Sequence, residues 1–180
     1  GAAPSIPRVC LAERLGVEDL RGLGRPQAPA VLGSLDRPRV VLSLKDLSSS
    51  IWLWYREAGG NGSNGGWAIK KVIEIPAEPA DPAVLPPLLQ GFKAVAPLVT
   101  DINLSVDDRF LYVSCWGTGE MRQYDVSEPR KPKLAGSVHI GGIARRTPHP
   151  NGKAYGGGPQ MVEISRDGKR VYWTNSLYST

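Results

Sequence analysis

A short stretch that returns 60 residues later constrains this chain more than any other feature. Residues Asp101 to Ser114 read as strand, tight turn, strand, and Met161 to Thr174 repeat the pattern. Ser105, Asp107, Tyr112 and Ser114 in the first copy stand where Ser165, Asp167, Tyr172 and Thr174 stand in the second. The turns carry Asp107-Asp108 and Asp167-Gly168, where Asx side chains bond nearby backbone and Gly accepts positive φ. After the first copy, a third strand from Met121 to Val126 contains the pair Tyr124-Asp125. A Ser127-Glu128-Pro129 turn and a last strand, Leu134 to Ile140, follow. Four antiparallel strands in about 40 residues describe one blade of a β-propeller.

The composition agrees. Gly (21) and Pro (16) exceed a fifth of the 180 residues, which excludes a helical bundle and predicts an all-β chain of short strands. Residues 1–27 form a divergent N-terminal segment in which Leu11, Leu15, Val17 and Leu20 predict one short amphipathic helix, stopped by Gly22 and Gly24. Residues 28–75 form a partial blade. In it, Ala30-Val31-Leu32 and Arg39 to Leu44 flank a turn at Asp36-Arg37-Pro38, and an aromatic strand runs Ile51 to Tyr55. Trp52 and Trp54 share one face of that strand and are expected in an interblade core. A Gly-rich loop then leads to an edge strand, Trp67 to Ile75.

Residues 76–97 are a Pro-rich loop that no regular strand or helix is expected to cross. Residues 98–141 make the complete blade, 142–158 a Gly/Pro/basic loop, and 159–180 the first half of the next blade. The chain thus reads as about two and a half blades of four-stranded antiparallel sheet. A blade face carries about four large apolar residues, each worth about 1.5–3 kcal/mol when buried. Leaving one face in water forfeits about 6–12 kcal/mol, comparable with a domain's net stability. The expectation is an arc cut from a ring, marginal alone, with the missing blades of the same chain as its partners.

Little else carries chemistry. The net charge is +5, but the cations, among them Arg130, Lys131, Lys133, Arg145, Arg146 and Lys153, lie in scattered loops without interleaved aromatics, so no nucleic-acid partner is expected. No apolar run is long enough to span a membrane. Cys10 and Cys115 lack metal-ligand spacing and read as reduced thiols, with Cys115 a small core residue. Gly60 to Gly65 formally matches GxGxxG, yet a strand rather than a helix is predicted next, so the match reads as a hairpin loop. His139, on a predicted edge strand, and His149, between two prolines, are the only imidazoles. No residue is nominated as a metal ligand, and no Ser-His-Asp arrangement is legible. Propellers bind ligands in the channel lined by their innermost strands. Asp101 and Gln160, which enter those strands, are therefore the channel-facing candidates, although Asp101 equally suits bonding to neighbouring backbone.

From about Ser48 to Thr180 the chain resembles the selenium-binding protein family, whose members include methanethiol oxidases. The resemblance rests on Ser48-Ser49-Ser50-Ile51-Trp52, Leu98 to Ile102, Leu104-Ser105 with Asp107 to Tyr112, and Gly119-Glu120 with Arg122 to Val126. It continues through Gly157 to Met161 and Ser176 to Ser179. It implies a seven-bladed propeller and a copper-dependent oxidase acting on a small thiol, with selenium as a second bound element. Residues 1 to about 38 do not look like the corresponding family segment. The His-rich motifs the resemblance would nominate for copper lie outside residues 48–180, so no ligand transfers to a residue here. The rival readings are a non-enzymatic selenium- or thiol-binding protein and a propeller interaction scaffold. The expected compartment is the cytoplasm, with the periplasm as alternative.

Overall fold

A computed structural model describes residues 37–42, 46–56, 65–144, 152 and 157–176. The helix expected around Leu11 to Leu20, Cys10, His149 and the centre of the GxGxxG loop lie outside them. The described residues fold almost wholly into antiparallel strands. β1 (Arg37–Leu42), β2 (Ser49–Arg56) and β3 (Trp67–Ile75) form a three-stranded sheet in the order β1-β2-β3. β3 is an edge, as its alternating sequence predicts. One expectation fails here: Arg37 and Pro38 are not turn residues but strand residues paired with Trp54 and Leu53. Among the described residues β1 is an outer strand of its sheet, a position that tolerates proline.

The prolines of residues 76–97 also leave room for regular structure, contrary to expectation. The two-residue strands β4 (Glu78–Pro79) and β5 (Ala94–Val95) pair with each other. Between them lie a 3₁₀ turn, Pro82–Val84, capped by Asp81 Oδ1 accepting from the Ala83 amide at 2.9 Å, and a single helical turn α1 (Pro87–Gln90). Prolines open both turns, where their missing N–H groups cost nothing.

The predicted blade is present. β6 (Val99–Leu104), β7 (Phe110–Cys115), β8 (Glu120–Asp125) and β9 (Lys133–His139) form one sheet in chain order. β10 (Gly158–Ile164) and β11 (Val171–Ser176) form the next hairpin. The two copies of the repeat close on matching turns. Ser105 Oγ donates to Asp107 Oδ1 at 2.6 Å and Ser165 Oγ to Asp167 Oδ1 at 2.5 Å. Asp108 (φ 58°) and Gly168 (φ 68°) take the left-handed position.

Both turn carboxylates are held below their ordinary value of 3.8, chiefly by those serine hydroxyls and then by the backbone amides of Arg109 and Lys169. A depressed carboxylate contributes stability that is present above 3.8 and is lost as pH falls through the lowered folded-state value. Ser105→Ala is expected to move the Asp107 titration upward toward 3.8, followed by NMR, and to leave Asp167 in place. An unmoved Asp107 would contradict the assignment.

The core joins two sheets. Ile51, Ile73 and Ile75 from β2 and β3 cluster with Ile102, Leu111, Val113, Cys115 and Tyr124 of the blade and with Val126, which follows β8. The buried face of β2 is that of Ile51 and Leu53, so Trp52 and Trp54, expected in an interblade core, lie half-buried on the other face. Strand alternation fixes that choice. Trp54 packs against Trp67 with ring centroids 5.1 Å apart. Arg130, an exposed loop cation as expected, also lies 4.2 Å from the Tyr55 ring centroid, in cation–π range.

Candidate functional site

The functional interest gathers at one end of the blade, where β6 begins, β7 turns into β8, and β9 ends. Val99 pairs with Cys115, Cys115 with Glu120, and Glu120 with His139. Directly opposed residues share a face, so these four side chains form a row across the sheet. Ile102, Val113, Arg122 and Ser137 form the next row by the same pairings. The tight connection between β7 and β8 depends on Gly119, at φ 70°, where a Cβ would strike the backbone of Gly141 and Gly142.

The row is polar where the blade meets the β4–β5 ribbon. Glu120 is 3% exposed and accepts from Arg122 Nε at 2.7 Å. His139 Nε2 lies 3.3 Å from Glu78 Oε1 on β4 and 4.0 Å from Glu120 Oε2. Burial opposes the Arg122 charge, but hydrogen bonds to Tyr124 and Glu120 outweigh it and hold the guanidinium above its ordinary pKa. Cys115, fully buried, has its thiol pushed up to about 12 by desolvation. It is a core residue, not a thiolate nucleophile.

Glu78, Glu120 and His139 each offer one ligand atom, all within 4.8 Å of one another, and together they could hold a metal ion. They do not fit copper in a soft or imidazole-rich setting. One imidazole and two carboxylates make up the set, and the neighbouring thiol is protonated. Copper is therefore not assigned to the described residues, and no chemical step is routed through them to it.

Asp101 and Gln160 are brought to the same end by adjacent strands. A bulge between Val99 and Asp101 in β6 matches an irregularity between Pro159 and Val162 in β10; bulges re-aim side chains. Thr100 Oγ1 donates to the Gln160 carbonyl at 2.7 Å, and the Val162 amide donates to Asp101 Oδ2 at 2.8 Å. Asp101 Oδ1 also accepts from the Ile102 amide at 2.9 Å, and burial raises the Asp101 pKa above its ordinary value. Asn103 Nδ2 donates to the Val162 carbonyl at 3.3 Å. Asp101 thus ties β6 to β10.

Sequence reasoning did not gather Glu78, Glu120, Arg122 and His139. The pairing of Asp125 with Lys133 beside the Ser127-Glu128-Pro129 turn, run straight, would set Glu120 opposite Val138; a bulge between Gln123 and Tyr124 shifts the register so that Glu120 meets His139. Glu78 arrives through a ribbon with no sequence periodicity. Among the described residues no helix is long and apolar enough to cross a membrane.

Comparison with known proteins places this geometry. The chain is 41% identical over 150 residues to a methanethiol oxidase of Xenopus tropicalis and 42% to one of Mus musculus. It is 41% identical to selenium-binding protein 2 of Mus musculus. Each match covers 74% of this chain and 29% of the relative, so the chain spans under a third of their length. The X-ray structure of a hypothetical selenium-binding protein from Sulfolobus tokodaii superposes with a TM-score of 0.68 at 62% identity, covering 77% of this chain and 29% of that one. The 56 kDa selenium-binding protein (SBP56) model matches residues 20–180. That match reaches into the segment expected not to resemble the family: residues 20–38 lie within it, their small-residue texture having hidden the correspondence. With most of its length matched and its blade superposing on a solved relative, this chain belongs to the 56 kDa selenium-binding protein (SBP56) family.

Proposed function

We propose that this chain is an arc of a seven-bladed propeller that oxidises methanethiol. The observation that carries the reading is the ordered match, at about two-fifths identity, to relatives named methanethiol oxidase. In this reading residues 28–75 belong to one blade, 98–141 are a second, and 159–180 begin a third. Further blades cover the apolar residues left exposed at the sheet edges, Ile69 on β3 and Leu134 and Val138 on β9. The cytoplasm is the proposed compartment, in keeping with the free, buried Cys115.

The proposed reaction is methanethiol plus oxygen plus water giving formaldehyde, hydrogen sulfide and hydrogen peroxide. The C–S bond breaks, carbon gives up two electrons, oxygen takes them with two protons to become peroxide, and water supplies the formaldehyde oxygen. Copper, held by residues beyond those described, supplies the redox chemistry. Asp101 and Gln160 are proposed to face the channel. There the bond from the Val162 amide to Asp101 and the Thr100–Gln160 contact fix the ends of the two inner strands.

The rival is binding of selenium or a thiol without turnover, favoured by the relatives named for selenium binding. Oxygen-electrode measurements on the full-length parent, of which this chain alone is expected to be an inactive arc, decide between them. Methanethiol-dependent uptake that stops on copper chelation and returns with copper supports the oxidase. Thiol binding without uptake supports the rival.

A further inference from the structure

We propose that Glu78, Glu120 and His139 form a divalent-cation site of the zinc class, separate from the oxidase chemistry, that fastens the β4–β5 ribbon to the blade. Two carboxylates converge here in partial or full burial, with side chains 20% and 4% exposed. Arg122 supplies one positive charge, and its Nε bonds Glu120 Oε2. The His139 imidazole stands between the two carboxylates, 3.3 Å from Glu78 Oε1 and 4.0 Å from Glu120 Oε2.

The spacing suits one. Ligands about 2.0–2.1 Å from a tetrahedral zinc stand about 3.3 Å apart. His139 Nε2 and Glu78 Oε1 are 3.3 Å apart, Nε2 and Glu120 Oε2 are 4.0 Å apart, and all three ligand atoms lie within 4.8 Å of one another, so the carboxylates close inward on binding. One borderline nitrogen and two hard oxygens match zinc(II) and its neighbours better than a soft monovalent metal. Solvent completes the coordination.

The placement gives the site a task. Glu120 and His139 are adjacent on the blade, whereas Glu78 belongs to the ribbon between sheets. The ribbon's own pairing is only two residues long on each strand, too short to hold itself down. A cation shared by both parts holds it in place.

Zinc(II) titration of the chelator-stripped protein against a chromophoric competitor tests this. One zinc is expected to bind per chain, and His139→Ala and Glu78→Gln are each expected to weaken it by about tenfold or more. Amide hydrogen exchange across residues 76–97 is expected to slow on zinc addition in the parent and not in either variant. Equal zinc binding by parent and variants overturns the proposal, and so does bound zinc that leaves exchange in 76–97 unchanged. Neither readout involves thiol turnover, so failure of the oxidase reading does not bear on the outcome.

Discussion

Arg122→Met is expected to destabilise the protein by about 3–5 kcal/mol, measured by denaturant unfolding in the presence of a chelator. Glu120 opens the interior strand β8 at one end of the blade, 3% exposed, between Cys115 on β7 and His139 on β9. Its charge is tolerated there because Arg122 Nε lies 2.7 Å from Oε2. Removing the guanidinium leaves a buried carboxylate whose nearest fixed cation is gone. The penalty is that of an uncompensated charge rather than of a lost contact. The double variant Glu120→Gln with Arg122→Met is therefore expected to recover most of the loss, since neither charge then needs solvation. A single variant that unfolds at the parent's denaturant midpoint would show that Glu120 is better hydrated than its burial indicates.

Ile51→Ala is expected to cost about 2–5 kcal/mol. Ile51 is completely buried and belongs to the cluster joining β2 and β3 to the blade. Truncation opens a cavity bounded by strands from two sheets, which cannot both close on it without breaking their own pairing. Leu88→Ala is the control. Leu88 lies on α1 and is 84% exposed, and its loss is expected to stay within about 0.5 kcal/mol. Equal, small effects would mean that the sheets do not share a core.

The parts legible in the sequence were those governed by local rules. The offset-60 repeat specifies two hairpins because Ser105 with Asp107, and Ser165 with Asp167, encode their own turns within a few residues. Both turns form with the same hydrogen bonds. The strand order β6-β7-β8-β9 follows because each connection is short. Where rules compete over distance, the reading failed. Pro38 looked like a turn residue, but β1, an outer strand among the described residues, tolerates its missing donor. Trp52 and Trp54 share one face, as their alternation predicts, but the face packed on the complete blade is that of Ile51 and Leu53. Burial depends on what packs across from a strand, which alternation alone does not name.

The site divides the same way. The strands of Asp101 and Gln160 lie side by side, and Asp101 accepts from the Ile102 and Val162 amides, the backbone role that the sequence left open. That Asp101 would accept from the Val162 amide required knowing the bulges in both strands. Glu120 and His139 face each other only because a bulge between Gln123 and Tyr124 shifts the register that the turn begins. Their meeting with Glu78 depends on the path of a proline-rich ribbon, which carries no periodicity to read.

The measurement that tests the central claim most directly is product analysis of the full-length parent, with all its blades, incubated with methanethiol in oxygenated buffer; the arc alone is expected to be inactive. The account predicts formaldehyde, hydrogen sulfide and hydrogen peroxide in equal amounts, each matching the oxygen consumed. Methanethiol that stays intact, or is converted only to dimethyl disulfide, would contradict it.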